Sequence, residues 1–200
     1  YPVHPELQKD WAKYLDSWVE TDKEVGRILN DLKIAGRLNS TAVFLWTDHG
    51  VSHLRGKQFL YEEGIRVPMI IRLPGMQRAG TVRDDLIEHI DVAACSLKLA
   101  GIKISDNIQG HNFLASDYKS RKFIFSGRDR CDETVDIQRC VRDSRYKYIR
   151  NFMSHVPHTQ PSQYKDGKKI VQVIRGLHKE GKLNEQQARP FVLRRPPEEL

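Results

Sequence analysis

The stretch over residues 41–75 reads TAVFLWTDHGVSHLRGKQFLYEEGIRVPMIIRLPG, and it decides the fold. Its apolar run at 42–46, bounded by polar residues, has the pattern of a strand buried on both faces of a parallel sheet. That strand empties directly into Asp48, His49 and Gly50. In an open parallel sheet the carboxyl ends of strands face the ligand crevice, so a carboxylate and an imidazole placed there are first candidates for metal ligands. An Asp-His-Gly turn also serves purely structural ends, because Asp and Gly build tight turns and His can cap a strand. A second apolar strand follows at 69–73, closed by Pro74-Gly75.

Between the two strands stand Gly56, Lys57, Tyr61, Glu62, Gly64, Arg66 and Pro68. A lone cation such as Lys57 supplies a point charge to a tetrahedral oxyanion. The spacing resembles a signature of the sulfatases, members of the alkaline phosphatase superfamily: Gly-Lys, three residues, Tyr-Glu-Gly-Gly, one residue, Arg, one residue, Pro. Glu63 is the departure, standing where the family usually has Gly. The resemblance extends in weaker form over nearly the whole chain. It implies part of an alkaline-phosphatase-like parallel-sheet sandwich plus a small C-terminal antiparallel sheet. Residues 1–117 would be the C-terminal part of the α/β catalytic domain, and residues 118–200 a small α+β subdomain cut short at its end. The expected whole is a longer protein, since the chain opens without Met and stops at Glu198-Glu199-Leu200.

The resemblance also implies a chemistry. Asp48 and His49 complete a divalent cation site, calcium by family habit, with manganese or zinc favoured by the imidazole. Lys57 contacts a sulfate oxygen. His53 and Arg55 are near enough in sequence to reach the same crevice, with His53 the candidate general acid. The family nucleophile is a formylglycine made from Cys or Ser in a Cys/Ser-x-Pro/Ala-x-Arg motif, and no Cys or Ser here begins one. This chain alone is therefore expected to be inactive, the nucleophile being supplied from a preceding part of the protein.

Composition narrows the partners. Residues 1–100 carry 13 Lys and Arg against 14 Asp and Glu, whereas residues 101–200 carry 20 against 12, so the net charge of +7 lies in the second half. A basic half suits an acidic partner such as a sulfated carbohydrate, or is a solvated surface. Nucleic acid ranks last, because no reading helix and little interleaved aromatic surface accompany the basic residues. In the cluster Arg128-Asp129-Arg130-Cys131-Asp132-Glu133, Arg128, Arg130 and Asp132 are candidates for a wall that binds a sulfated sugar. Two further readings stay open: a phosphodiester or phosphonate monoester hydrolase of the same superfamily, and a non-catalytic polyanion-binding module. No apolar run is long enough to span a membrane. A periplasmic, secreted or lysosome-like location follows from the resemblance alone. Cys131 and Cys140 either pair across a hairpin or stay as free thiols.

Along the rest of the chain, apolar residues recurring at three and four predict a long amphipathic helix from Pro5 to about Ala35, stopped by Gly36. A second helix is predicted over 84–99, with His89 and Asp91 as structural residues at its start. Short strands are expected at 122–127 and within 137–148, a loop at 151–170, and a short helix at 183–188.

Overall fold

A computed structural model describes residues 1–200. The chain opens with α1 (Pro5–Ile34), whose N-terminal amides are capped by the His4 side chain and by Pro5. Gly36, at φ 66°, ends it as expected. Then come β1 (Val43–Trp46), a single helical turn α2 (Glu62–Ile65), β2 (Met69–Arg72) and α3 (His89–Leu99). The second half holds β3 (Ile124–Cys131), β4 (Thr134–Arg142), β5 (Lys147–Asn151), α4 (Gln163–Asp166), α5 (Lys169–Lys179), α6 (Glu185–Ala188) and β6 (Glu198–Glu199).

The parallel sandwich is not built from these residues. β1 and β2 pair antiparallel, Val43 opposite Arg72 and Trp46 opposite Met69. A parallel neighbour needs a crossover, usually through a packed helix. The connection between these strands contains only the one turn α2 and folds back on itself, so β2 returns beside β1 in the opposite direction. The strands are also half-exposed rather than sealed on both faces, with Ile70 65% exposed. The C-terminal antiparallel sheet is present in the order β3-β4-β5-β6. Its register places Cys131 opposite Thr134 and Cys140 opposite Ser126, so the two thiols are not partners across the hairpin and all three cysteines are free.

Two apolar clusters hold the connection between β1 and β2. Leu54 packs with Leu7 of α1 and with Ile170, Val171 and Ile174 of α5. Leu60 packs with Cys140 and Ile149 on the antiparallel sheet. Burying such side chains supplies about 1.5–3 kcal/mol each, so the loop over residues 51–61 is pinned at both ends to elements from opposite ends of the chain. Between the pins, the backbone is drawn tight. Gly50 donates its N–H to the carbonyl of Gly64 at 2.9 Å, and a Cβ on Gly50 would lie 1.7 Å from the carbonyl oxygen of Glu63. A Cβ on Gly64 would lie 2.2 Å from the carbonyl oxygen of Phe59. Glycine stands at both positions because two backbones meet there, not for a turn conformation.

α3 starts five residues later than periodicity predicts, because Asp91 organises its first turn as a cap. The fully buried Asp91 carboxylate accepts from the amides of Glu88 and His111 and from Arg121 at 2.7–2.8 Å. The structural reading of Asp91 holds on that geometry.

β4 turns polar residues inward. Thr134, Asp136 and Gln138 are buried, while Val135 and Ile137 between them face out. The buried Asp136 carboxylate accepts from both terminal nitrogens of Arg195, and Arg195 also approaches His158 Nδ1 at 2.8 Å. A guanidinium only donates, so Nδ1 accepts and the ring proton of neutral His158 resides on Nε2. Nε2 lies 2.9 Å from the Tyr61 hydroxyl, which in turn donates to Glu199 of β6 at 2.9 Å. The chain of donors from Arg195 through His158 and Tyr61 to Glu199 is complete, and it ties the loop after residue 51 to the C-terminal strand.

Two outcomes follow. Gly50→Ala is expected to lower the unfolding free energy by at least about 2 kcal/mol in urea titration, since the Cβ meets backbone rather than a movable side chain. Burial, and then Arg195, push His158 down to about 4. Its folded pKa lies below the unfolded value, so the unfolded state takes up more protons as pH falls, and the stability held near neutrality is lost toward pH 4. This group alone should cost about 2 kcal/mol between pH 7 and pH 5. Urea titrations at the two pH values check it, and His158→Gln should flatten the difference.

Candidate active site

The Asp48-His49-Gly50 turn leaves the end of β1 at the mouth of a cavity of about 1630 Å³. Asp48 Oδ1 accepts the backbone amide of His49 at 2.9 Å, which orients the carboxylate. His49 Nδ1 lies 2.8 Å from the carbonyl oxygen of Gly50. A carbonyl only accepts, so Nδ1 carries the proton and Nε2 presents a bare lone pair. That lone pair faces Asp48 Oδ2 at 3.4 Å. A carboxylate oxygen and an imidazole nitrogen lie side by side here, with the far imidazole nitrogen tied to a backbone carbonyl as it is in metal-ligating histidines. The donor pair fits a divalent cation as part of a site. No group of three or more His, Cys, Asp or Glu side chains capable of holding a metal ion occurs in the chain, so the remaining ligands are not among these residues.

The cavity also receives Arg66, Arg78 and Arg130, none of which has an acidic partner within ion-pair distance, while Arg142 and Lys147 share Glu62 at 2.7 Å each. Over the whole lining seven Arg and Lys stand against six Asp and Glu, so the positive charge is local to the three unpaired arginines.

Lys57 is placed elsewhere. Its ammonium lies 4.9 Å from the ring centroid of Tyr164 on α4, and it is not among the residues lining the cavity. The next residue, Gln58, adopts φ 83° and turns into the cavity, where its amide donates to Asp132 at 3.2 Å. The backbone at Lys57 is held from below. Lys165, buried, donates its ammonium to the carbonyls of His53 at 2.7 Å and Lys57 at 2.9 Å. Burial, with help from the Lys168 and Arg128 charges, pushes Lys165 down to about 8.

His53 does not reach the crevice. It is 5% exposed, its Nε2 pairs with Asp10 of α1 at 2.8 Å, and its ring lies 4.3 Å from that of Trp11. Burial lowers its pKa, against the pull of Asp10. The residue fastens α1 to the loop, and the general-acid role is corrected on that geometry. Arg55 stacks over Tyr61 with its guanidinium carbon 4.3 Å from the ring centroid, outside the cavity. Arg128 reaches the cavity wall but is 8% exposed, lies over Phe59 and stands 3.6 Å from Asp136. It acts as a buried strut rather than an open sugar wall. Arg130 bonds the carbonyl of Asp132 at the β3–β4 turn, where Asp132 takes φ 52°.

Tyr164, Lys165 and Lys168 escaped the sequence reading, which placed them in a loop. The spacing of Tyr164 and Lys168, four residues apart among polar neighbours, was the available signal.

Residues 4–102 match the family model described as Sulfatase. An ulvan-active sulfatase of Formosa agariphila is 36% identical over 203 residues, covering 100% of this chain and 34% of that protein. An N-acetylglucosamine-6-O-sulfatase of Bacteroides thetaiotaomicron is 35% identical over 107 residues, covering 52% of this chain and 19% of that protein. Among solved structures, a 2-O GAG sulfatase superposes with a TM-score of 0.59 at 26% identity, over 66% of this chain and 31% of that one. The chain thus spans about a third of the length of the Formosa relative. On the motif, the fold and these matches together, the chain belongs to the sulfatase family.

Proposed function

We propose that the protein carrying this chain is a sulfuric ester hydrolase acting on a sulfated carbohydrate. The observation that carries this reading is the Asp48 and His49 pair at the end of β1, whose carboxylate oxygen and imidazole nitrogen lie 3.4 Å apart beside a cavity with three unpaired arginines. Its carbohydrate direction rests on the relatives, which include a sulfatase acting on N-acetylglucosamine. An outward location, secreted or periplasmic, fits that substrate class.

Cleaving a sulfate ester accumulates negative charge on the sulfate oxygens and on the departing oxygen. Asp48 and His49 would hold the divalent cation, calcium by family habit. Bound there, it would offset that charge and polarise the S–O bonds. His49 contributes a nitrogen, which suits manganese or zinc better than calcium. Arg66 and Arg130 raise the anion's local concentration in the cavity. The ammonium of Lys57 has no acidic partner but lies over Tyr164, outside the cavity lining, so the role of donor to a sulfate oxygen that the motif implies requires its side chain to swing away from that ring. None of the residues present fits the formylglycine, because no Cys or Ser begins its motif.

The imidazole ligand also favours a second reading, hydrolysis of a phosphodiester or phosphonate monoester at the same site. The full-length protein separates the two when matched aryl sulfate and aryl phosphate esters are compared. Sulfate should be cleaved faster; preference for phosphate would install the second reading. In the same assay Lys57→Ala and Asp48→Ala should each lower kcat/KM for the aryl sulfate by about 100-fold or more. Chelation should abolish turnover and added calcium restore it. Wild-type rates in both variants would remove the reading.

A further inference from the structure

Tyr164 stands on α4 with 41% of its surface exposed, and three polar groups converge on it. The Ser52 hydroxyl lies 3.0 Å from its phenolic oxygen. The ammonium groups of Lys57 and Lys168 lie 4.9 and 4.8 Å from its ring centroid. Neither lysine is in an ion pair. Asp166, two residues from both Tyr164 and Lys168, is engaged with Arg175 at 2.7 Å, and Glu133 accepts the amide of Gln163. The phenol is held below its ordinary pKa by the Ser52 hydrogen bond, against burial and with the help of Lys57, as a positive local field requires.

Two ammonium groups over one ring, neither in an ion pair, leave a local positive charge that a bound anion would offset. The ring quadrupole offsets part of that charge and no more. What completes the arrangement is a ligand with an apolar face for the ring, hydroxyls for Ser52 and Tyr164, and an anionic group for the lysines. A sulfated sugar ring has all three. A strand of nucleic acid would stack successive bases on several rings, and a single one is offered here.

We propose that Tyr164, Lys168 and Ser52 form a subsite for a sulfated sugar unit, sharing Lys57 with the reactive position. The sharing of Lys57 rests on the hydrolase reading above; the subsite itself rests on the exposed ring and its unpaired cations. The ring carries the sugar face, and Lys168 carries a sulfate that is not the one cleaved. The site would therefore favour chains with sulfate on more than one unit over isolated monosaccharide esters.

Isothermal titration calorimetry on the full-length protein tests it, with a sulfated ulvan tetrasaccharide, its desulfated counterpart and a single-stranded oligonucleotide as probes. Tyr164→Ala and Lys168→Met should each weaken binding of the sulfated tetrasaccharide at least fivefold, whereas Tyr164→Phe, which keeps the ring, should stay within about threefold. Lys169→Met, which removes an equal charge one residue away, should leave affinity unchanged and exclude a general surface effect. The desulfated probe should bind more weakly and be indifferent to Lys168→Met. Wild-type affinity in both Tyr164→Ala and Lys168→Met overturns the subsite, as does equal weakening by Lys169→Met or equal affinity for the oligonucleotide. Sulfate release by the wild-type protein is followed in parallel. If nothing is hydrolysed yet the binding losses appear, the hydrolase reading fails and the subsite stands; if hydrolysis is robust and binding is unmoved, the subsite alone fails.

Discussion

The loop that follows β1 stays where it is because a buried ammonium from the far end of the chain holds its backbone. Lys165 reaches the carbonyls of His53 and Lys57, 112 and 108 residues away in sequence. An ammonium stripped of water is tolerable only where carbonyl dipoles replace its hydration. Here both dipoles belong to the segment on which the proposed chemistry depends. With a pKa of about 8 the group is mostly charged at neutral pH, so the clamp is ionic in character while remaining easily perturbed. Leu54 and Leu60 add the apolar half of the same clamp, one fixed to α5 and the other to the antiparallel sheet.

This arrangement puts the site between two halves of the chain with different charge. The first half supplies the carboxylate and the imidazole at the end of β1. The second supplies Lys165 behind the loop, Lys168 beside Tyr164 and Arg130 at the cavity, where Arg66 and Arg78 of the first half also stand. The basic excess of the second half is thus partly drawn in around one loop. Arg128 and Arg195 are the exceptions, since both are spent on Asp136 inside the fold. An arginine count alone does not separate the two uses. What separates them is burial, and a buried guanidinium needs a carboxylate whereas an exposed one does not.

Much of this was legible in the residues. The 3.6-residue period drew α1 to within a residue of its observed end, and the short strands read between 122 and 148, with the resemblance, pointed to the antiparallel sheet. The motif pointed to the loop on which the proposed site is built. What was not legible arose from contacts between distant segments. The apolar run of β1 reads as a doubly buried parallel strand because composition does not encode the direction of a partner. His53 reads as a site residue because sequence proximity to Asp48 says nothing of Asp10, which claims it from α1. α5 was missed because its apolar positions, Ile170, Val171 and Ile174, are few and set among lysines and glutamine; only the docking of Leu7 and Leu54 reveals them as a helix face. Asp136 offered a signal that went unread: an acid at an inward position of an alternating strand demands a buried cation, and Arg195 is that cation.

The Asp-His-Gly turn and the Tyr-Glu-Glu-Gly turn are one physical unit, although ten residues of loop lie between them. The Gly64 carbonyl fixes the Gly50 amide, and the Gly50 carbonyl in turn takes the proton of His49 Nδ1. The imidazole can then expose only its Nε2 lone pair toward Asp48. Replacing Gly50 by any residue with a Cβ would push it against the Glu63 carbonyl and part the two turns before it altered the side chain of Asp48 or His49, whereas a Cβ on Gly64 would meet the carbonyls of Phe59 and Gly56 inside the loop. The tautomer of His49 is thereby tied to a backbone contact from the second turn, which gives a physical reason for the two short sequences to occur together. It also explains why the departure at Glu63 is tolerated: Glu63 is exposed, and the contact with Gly50 uses its carbonyl oxygen, which every residue has.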